Sequence, residues 1–197
     1  MATLCKYTYD PLDRVSTLNP LAQAISNRFY NGEKLMTELQ GDRQRTCVRA
    51  GGQLLAQQSR EGEEVVTTLT AGDLRNSVLH ASEDGRQADI AYTPFGHRQA
   101  EQAIAELPGF NGEQPDPVTG HYLLGNGYRA YSPVLMRFNS PDSFSPFGEG
   151  GLNAYAYGLN NPIKYIDPTG HFSSFLSGFW RLGYCSLEVG QFMCLLT

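Results

Sequence analysis

Cysteine and histidine, the residue types that most often bind metals or act in catalysis, are few and dispersed in this chain. It contains four cysteines and four histidines, and none of them lies in a CxxC pair, an HExxH motif or a short histidine pair. Zinc sites and thioredoxin-type sites need those spacings, so the sequence predicts neither a metal ion nor a cofactor. We interpret the cysteines as free thiols in a reduced compartment.

Among the aspartates that stand beside prolines, two lie in the last third of the chain, Asp142 after Pro141 and Asp167 before Pro168. Both are ordinary turn sequences, and the residue types alone favour that interpretation. Two carboxylates held a few ångströms apart can do more, because they tend to share one proton. The ionised carboxylate then activates a water, and the protonated one donates to a carbonyl oxygen. Such chemistry needs neither a metal nor a covalent intermediate.

A second pattern is misleading. Residues 125–130 match the GxGxxA dinucleotide fingerprint and follow a predicted strand at 122–124. The fingerprint requires a helix directly after it, and Tyr131-Ser132-Pro133 does not support one. We therefore reject a dinucleotide site.

The charge pattern indicates no nucleic-acid partner. The net charge is −5, and the densest basic cluster consists of Arg43, Arg45 and Arg49. On a strand these three would share one face, which we expect to be solvated. The first ten residues contain no apolar segment of the kind found in a secretory signal peptide. We expect a location in the cytoplasm before any export, and a signal-peptide-independent route for secretion.

The elements that must position these residues are short strands. Between the turns lie strand-like runs at 34–39, 64–70 and 88–93, whereas residues 98–107 have helical spacing. An antiparallel meander of hairpins is the predicted fold, and a sandwich, a propeller blade or an open curled sheet would all fit it. Turn signals recur about every ten residues, at Asn31-Gly32, Gly41-Asp42, Gly51-Gly52, Glu61-Gly62, Gly72-Asp73, Asp84-Gly85 and Phe95-Gly96.

The character of the sequence changes twice, which divides the chain into residues 1–107, 108–172 and 173–197. From 108 onward, prolines and tyrosines accumulate, and these residues favour a stiff, loop-rich, well-ordered cap. Beyond 172 the residues are mostly apolar, but the runs are too short and interrupted for a clean membrane span. We expect an amphipathic or packed helix there.

Several segments resemble RHS/YD-repeat proteins. Residues 7–15 are similar to one YD repeat, YxYDxxGR, with Asp13 in place of its glycine, and residues 90–96 are similar to a degenerate copy. A stronger match to the RHS repeat-associated core runs through 127–133, 137–138, 140–142, 151–157, 161–162 and 167–170. Within that family, residues 140–148 look most like the C component of insecticidal toxin complexes.

The resemblance implies a fold and an activity. It implies an antiparallel hairpin sheet that curls as part of a YD-repeat shell and ends in a loop-rich C-terminal RHS core cap. In several members the core is an aspartic protease that cuts the chain just after itself. The catalytic dyad would be Asp142 and Asp167, and the cut would lie near Phe172-Ser173, with an apolar residue before the bond.

Two arginines are candidates for a supporting role in the site that the resemblance implies. Arg129 matches a family position next to the dyad and would orient it or balance its charge. A structural salt bridge inside the cap is the alternative for Arg129. Arg137 is the second candidate.

Three functional hypotheses stay open. The chain is a self-cleaving shell-end module of a toxin system, a catalytically silent RHS remnant that docks onto a larger YD-repeat or toxin-complex protein, or a carrier of a membrane-active peptide at 173–197. That tail has about 25 residues, too few for a domain to fold alone. An unclosed sheet exposes strand edges and would favour self-association.

Overall fold

The computed structural model describes residues 4–12, 14–21, 23–98, 107–167, 169–171 and 174–175. Fourteen strands form three antiparallel sheets. The first sheet contains nine strands in chain order, and each strand pairs with the next along the chain: β1 (Cys5–Tyr9), β2 (Val15–Pro20), β3 (Ser26–Asn31), β4 (Lys34–Gln40), β5 (Arg43–Ala50), β6 (Gln53–Glu61), β7 (Glu64–Gly72), β8 (Val78–Glu83) and β9 (Arg86–Asp89). The predicted antiparallel meander is confirmed.

The turns form where glycine permits a left-handed backbone. The hairpin between β8 and β9 turns at Asp84 and Gly85, whose φ angles of 45° and 77° are the two positive values that a tight two-residue hairpin turn requires. The runs predicted at 34–39 and 64–70 lie inside β4 and β7. Local sequence therefore specified most of this sheet.

The strand predicted at 88–93 is only partly right, because β9 ends at Asp89. After Asp89 the Ile90 N–H still donates to the Leu79 carbonyl at 2.8 Å, and the buried Ile90 side chain packs with Cys47, Leu54 and Val78. This hydrophobic contact overrides the local alternation, which would have continued the strand.

The basic cluster on β5 shares one face, as predicted, but that face is not solvated. Arg45 and Arg49 are half-buried and lie on the side of the buried Cys47, whereas Val48 between them is exposed. The Arg45 Nη2 atom lies 2.9 Å from Glu38 Oε2. The side chain thus finds a carboxylate on the neighbouring strand rather than water.

The segment from residue 107 onward is built on short strands and aromatic packing. Its strands are β10 (Tyr122–Leu124), β11 (Arg129–Ser132), β12 (Arg137–Phe138), β13 (Tyr165–Ile166) and β14 (Ser174–Phe175). Single 3₁₀ turns occupy Phe110–Gly112, Gly125–Gly127 and Gly158–Asn160. We call residues 107–171 the cap. No helix follows Gly127, since the chain enters β11 at Arg129.

The core of the cap is an aromatic cluster. The rings of Tyr131 and Tyr157 are fully buried with centroids 4.3 Å apart, and Phe138 meets both of them edge-on. Phe110 and Tyr122 complete the cluster. Rings of this size bury large areas and fix their neighbours, which gives the short strands a rigid base.

Hydrogen bonds and packing join the first hairpin to the cap. The Tyr7 hydroxyl donates to Asp116 Oδ2 at 2.8 Å, and the Tyr9 hydroxyl donates to the Gly127 carbonyl at 3.4 Å. Gly127 has a φ of 117°, and a Cβ there would collide with the Val15 side chain. The hairpin of β1 and β2 therefore sits directly on the turn that leads into β11.

Several expectations concern residues outside the described ranges. Nearly all of the helix expected at 98–107 lies outside the described residues, as do Pro168 and almost all of 173–197. The division at 107/108 and 172/173 stays a prediction. Among the described residues, no helix is long and apolar enough to cross a membrane, and no group of three acidic, histidine or cysteine side chains is placed to hold a metal ion.

Candidate active site

Arg129 is the centre of the site. It opens β11 opposite Leu124 of β10 and is 2% exposed. Its Nη2 atom lies 3.2 Å from Asp142 Oδ2 and 3.4 Å from Asp167 Oδ2. Its guanidinium carbon lies 3.6 Å from the centre of the Phe138 ring. The cation therefore packs against the aromatic core of the cap.

Asp142 reaches the site from the loop after β12. Its N–H donates to the Ala154 carbonyl at 2.9 Å, and its Oδ1 accepts the Phe144 N–H at 3.0 Å. This local carboxylate-to-backbone bond is the turn chemistry expected of the Pro141-Asp142 sequence. The turn and the site are therefore one arrangement, because the carboxylate that closes the turn also bonds Arg129 through its other oxygen.

Asp167 approaches from the opposite side, directly after β13. It is 2% exposed, and its Oδ1 atom is buried without a hydrogen-bond partner among the described residues. Burial raises the pKa of this carboxyl to about 6 even though the Arg129 guanidinium acts in the other direction. At neutral pH the side chain is therefore mostly ionised, and it takes up a proton as the pH falls to about 6.

The cluster of Asp142, Arg129 and Asp167 contains two carboxylates and one guanidinium. Both Oδ2 atoms face the same Nη2 atom, so they lie no further apart than the sum of its two distances to them. Burial also lowers the pKa of Arg129 from its ordinary value, although the negative charges of both carboxylates act to raise it. An arginine still keeps its charge in a protein, so a proton that balances the cluster goes to a carboxylate.

The chain that follows Asp167 runs past Arg129. The Nε atom of Arg129 donates to the Gly170 carbonyl, and Nη1 donates to the Ala154 carbonyl at 2.9 Å. Beyond this point Ser174 of β14 pairs with Ile166, the residue just before Asp167. The predicted cleavage residues, Phe172 and Ser173, lie outside the described residues.

Of the predicted site residues, Asp142, Asp167 and Arg129 come together, whereas Arg137 does not join them. Arg137 is exposed on β12, where its neighbour Phe138 faces the core. Successive residues of a strand point to opposite faces, so the side chain next to Phe138 is directed away from Arg129. The catalytic roles of the three converging residues stay predictions.

His171 is part of this site, although only its place after the Asp167–Gly170 motif could have indicated it. Its Nδ1 atom lies 3.1 Å from Asp142 Oδ1. Its ring stacks on Tyr128 and Phe144, with centroids 3.8 Å and 4.5 Å away. The contact partners come from distant parts of the sequence, which is why spacing could not reveal them.

The nine-stranded meander joined to an aromatic cap is similar to the shell-like β fold of chains in solved toxin-complex structures. The crystal structure of TcdB2-TccC3-TEV matches with a TM-score of 0.55 and 17% identity, over 85% of this chain and 10% of that one. The Photorhabdus luminescens Tc holotoxin pore with a mutated TccC3 matches with a TM-score of 0.52 and 15% identity, over 90% and 10%.

The sequence also has curated relatives. The tRNA3(Ser)-specific nuclease WapA of Bacillus spizizenii is 28% identical over 158 residues, which are 75% of this chain and 7% of that protein. The toxin protein Tse5 of Pseudomonas aeruginosa is 45% identical over 62 residues, 31% of this chain and 4% of that protein. The chain thus spans less than a tenth of these relatives. No family model matches it.

These similarities confirm the resemblance to RHS/YD-repeat proteins and the shell-type β fold. They support an RHS module of a toxin system. The first of these solved structures contains TcdB2 together with TccC3.

Proposed function

We propose that this chain is the shell-end module of a bacterial toxin system and that it cuts itself after the core with an aspartic dyad. One observation carries the proposal. Asp142 and Asp167, which arrive from two different loops, bring one oxygen each to the same nitrogen of Arg129 in a site closed to solvent. Buried carboxylates with a perturbed pKa and a shared charge partner are typical of functional sites.

The two aspartates take different roles in the proposed reaction. Asp142 accepts hydrogen bonds on both of its oxygens, from Arg129 on one and from the Phe144 N–H on the other, so it is the ionised base. Burial raises the pKa of Asp167 to about 6, so of the two carboxylates it is assigned as the one that takes up a proton as the pH falls toward that value. The opposite environments assign the acid and the base.

The steps then follow the usual acid–base sequence. Asp142 takes a proton from a water, whose oxygen attacks the scissile carbonyl carbon while Asp167 donates its proton to the carbonyl oxygen. The carbon–nitrogen bond breaks as Asp142 passes its proton to the leaving amine, and Asp167 regains a proton when the carboxyl product forms. Arg129 keeps its charge throughout and stabilises the carboxylate that is ionised at each stage.

The substrate in this proposal is the chain itself. The Gly170 carbonyl is held by Arg129, and the pairing of Ser174 with Ile166 returns the chain beside Asp167. A substrate held in this way reacts as an intramolecular group, which removes most of the entropy cost of bringing it to the dyad. The expected cut near Phe172-Ser173 falls between these two anchored points.

A silent docking module is the second candidate, and the position of Arg129 favours it. A guanidinium that bridges two carboxylates is also a purely structural ion cluster, and such a cluster would hold the cap together without any reaction. In that case a larger toxin-complex partner would cover the chain, and both aspartates would be dispensable for its chemistry. A location in the cytoplasm before export fits either candidate.

Intact mass of the purified full chain during incubation separates the two candidates. The self-cleaving module loses a C-terminal peptide of constant mass, and Asp142→Asn and Asp167→Asn each stop that loss. Asp116→Asn is the matched control, because Asp116 is an equally buried carboxylate of the cap that bonds Tyr7 rather than Arg129. A wild-type chain that keeps its full mass contradicts the proposed protease and leaves the docking module.

A further inference from the structure

The His171 ring is held between two aromatic faces. The Tyr128 ring lies 3.8 Å from it at an angle of 29°, and the Phe144 ring lies 4.5 Å from it at 27°. The two faces come from different loops, which are tied to each other where Ser143 donates its N–H to the Tyr128 hydroxyl at 3.2 Å. We call Tyr128 and Phe144 the aromatic clamp.

The same histidine also bonds the dyad. Its Nδ1 atom lies 3.1 Å from Asp142 Oδ1, on the side of the carboxylate away from Arg129. An ionised carboxylate can only accept, so Nδ1 carries the hydrogen in this bond. His171 therefore contacts the dyad with its edge and the clamp with its faces.

The residues just before His171 are fixed as well. A Cβ on Gly125 would collide with the Thr169 carbonyl, so the glycine lets the two backbones meet. The Gly170 carbonyl accepts from Arg129 Nε. Thr169, Gly170 and His171 thus each contact a different part of the cap at the point where the chain leaves the dyad. A simple turn would not need all three contacts.

We infer that the aromatic clamp is a recognition subsite for the chain's own cleavage segment, and that His171 is the residue that sets the position of the cut. This inference rests on the proposed self-cleavage. The clamp holds His171, the last residue before the predicted Phe172-Ser173 site. It thereby fixes which peptide bond of the chain lies at the dyad. A segment with a planar aromatic or imidazole ring at this position fits the subsite, and a segment with a small or branched side chain does not.

The two contacts of His171 can be separated by substitution. His171→Phe keeps a flat ring between the clamp faces but cannot donate to Asp142. His171→Ala removes both contacts. Phe144→Leu removes one face of the clamp and leaves the histidine in place. Phe144 and Tyr128 are both partly exposed, so their substitution disturbs little of the buried core.

The test measures both the rate of cleavage and the exact masses of the two products of the full chain. His171→Phe should cut at the wild-type bond at a lower rate, whereas His171→Ala and Phe144→Leu should cut roughly tenfold more slowly and at more than one bond, since a ring pair contributes about one factor of ten. His121→Ala is the control, because His121 bonds Asn139 and does not touch the clamp. Circular dichroism confirms the fold of each variant.

The outcomes distinguish this inference from the function on which it rests. If the wild-type chain cuts, and His171→Ala cuts at the same single bond with the same rate, the clamp is overturned and the protease stands. If the wild-type chain never cuts, both fall. A His171→Ala chain that does not fold leaves Phe144→Leu to decide, and a single unchanged product from that variant overturns the clamp.

Discussion

Two buried ion clusters, one in the sheet and one in the cap, have opposite compositions. In the sheet, Glu38 lies between two cations, with Arg28 Nε at 3.5 Å and Arg45 Nη2 at 2.9 Å. In the cap, Arg129 lies between two carboxylates at similar distances. Both clusters are almost closed to solvent.

The two clusters differ in which charge is in excess. The sheet cluster has more guanidinium groups than carboxylates, and the cap cluster has the reverse. An arginine holds its proton under all ordinary conditions, so the sheet cluster has a fixed charge. A carboxylate can take up a proton when one guanidinium cannot balance two negative charges. The net charge of the cap cluster can therefore change with pH. Burial accordingly raises the pKa of Asp167 to about 6. Two clusters of three charged side chains each thus differ in their capacity for acid–base chemistry.

Removing the central residue of each cluster is the strongest test of this contrast. Arg129→Met leaves two carboxylates buried without a cation, and Glu38→Gln leaves two guanidinium groups without an anion. Each should lower the free energy of unfolding by about 3–5 kcal/mol at pH 8, as measured by urea denaturation. At pH 5 the loss from Arg129→Met should shrink, because Asp167 takes up a proton, whereas the loss from Glu38→Gln should not. Equal recovery of both variants on acidification would contradict the contrast.

The wild-type chain should lose stability as the pH rises from about 4 to about 6. The folded state keeps a proton on Asp167 that the unfolded chain releases near its ordinary pKa of 3.8. The contribution is therefore complete below that pKa and is lost through pH 6, with a total on the order of 3 kcal/mol. The difference between wild type and Asp167→Asn, followed by thermal unfolding, isolates it. Asp84→Asn, in an exposed turn, is the control, and a flat difference for Asp167→Asn would exclude the buried proton.

The rate of the proposed self-cleavage should fall by about tenfold for each pH unit above 6, because only the protonated form of Asp167 donates to the scissile carbonyl. Product mass against time from pH 5 to 9 measures it. A rate that rises steadily across this range would assign the acid to another group.

The smallest effects come from replacing arginine with lysine, which keeps the charge but loses the planar fork. Arg45→Lys should cost about 1 kcal/mol in unfolding free energy, because one ammonium still reaches Glu38. Arg129→Lys should fold but cleave more slowly, since a single ammonium cannot serve Asp142, Asp167 and the Gly170 carbonyl together. Unchanged cleavage by Arg129→Lys would show that the fork is not needed.

Much of the sheet could be predicted from sequence, because its information is local. A turn such as Asp84-Gly85 specifies a hairpin with its own φ angles. The burial of Arg45 could not be predicted, because its partner Glu38 is fixed only by the pairing of β4 with β5. Ile90 shows the same limit, since its hydrophobic partners lie on three other strands.

The site was predicted by resemblance and not by spacing. By residue type Asp142 is a turn residue, and it does close a turn. Nothing local says that its second oxygen meets Arg129. His171 was missed for the same physical reason, since Tyr128 and Phe144 lie far from it along the chain.

The contact of the first hairpin with Gly127 has a consequence for timing. Tyr9 and Gly127 are separated by 118 positions along the chain, and Gly127 stands two residues before Arg129. Contacts between such distant segments form late in folding, because the entropy cost of closing a long loop must be met before the contact contributes any stability. The turn that leads into β11 therefore meets the first hairpin only after this long loop has closed, and the proposed self-cleavage would follow that contact.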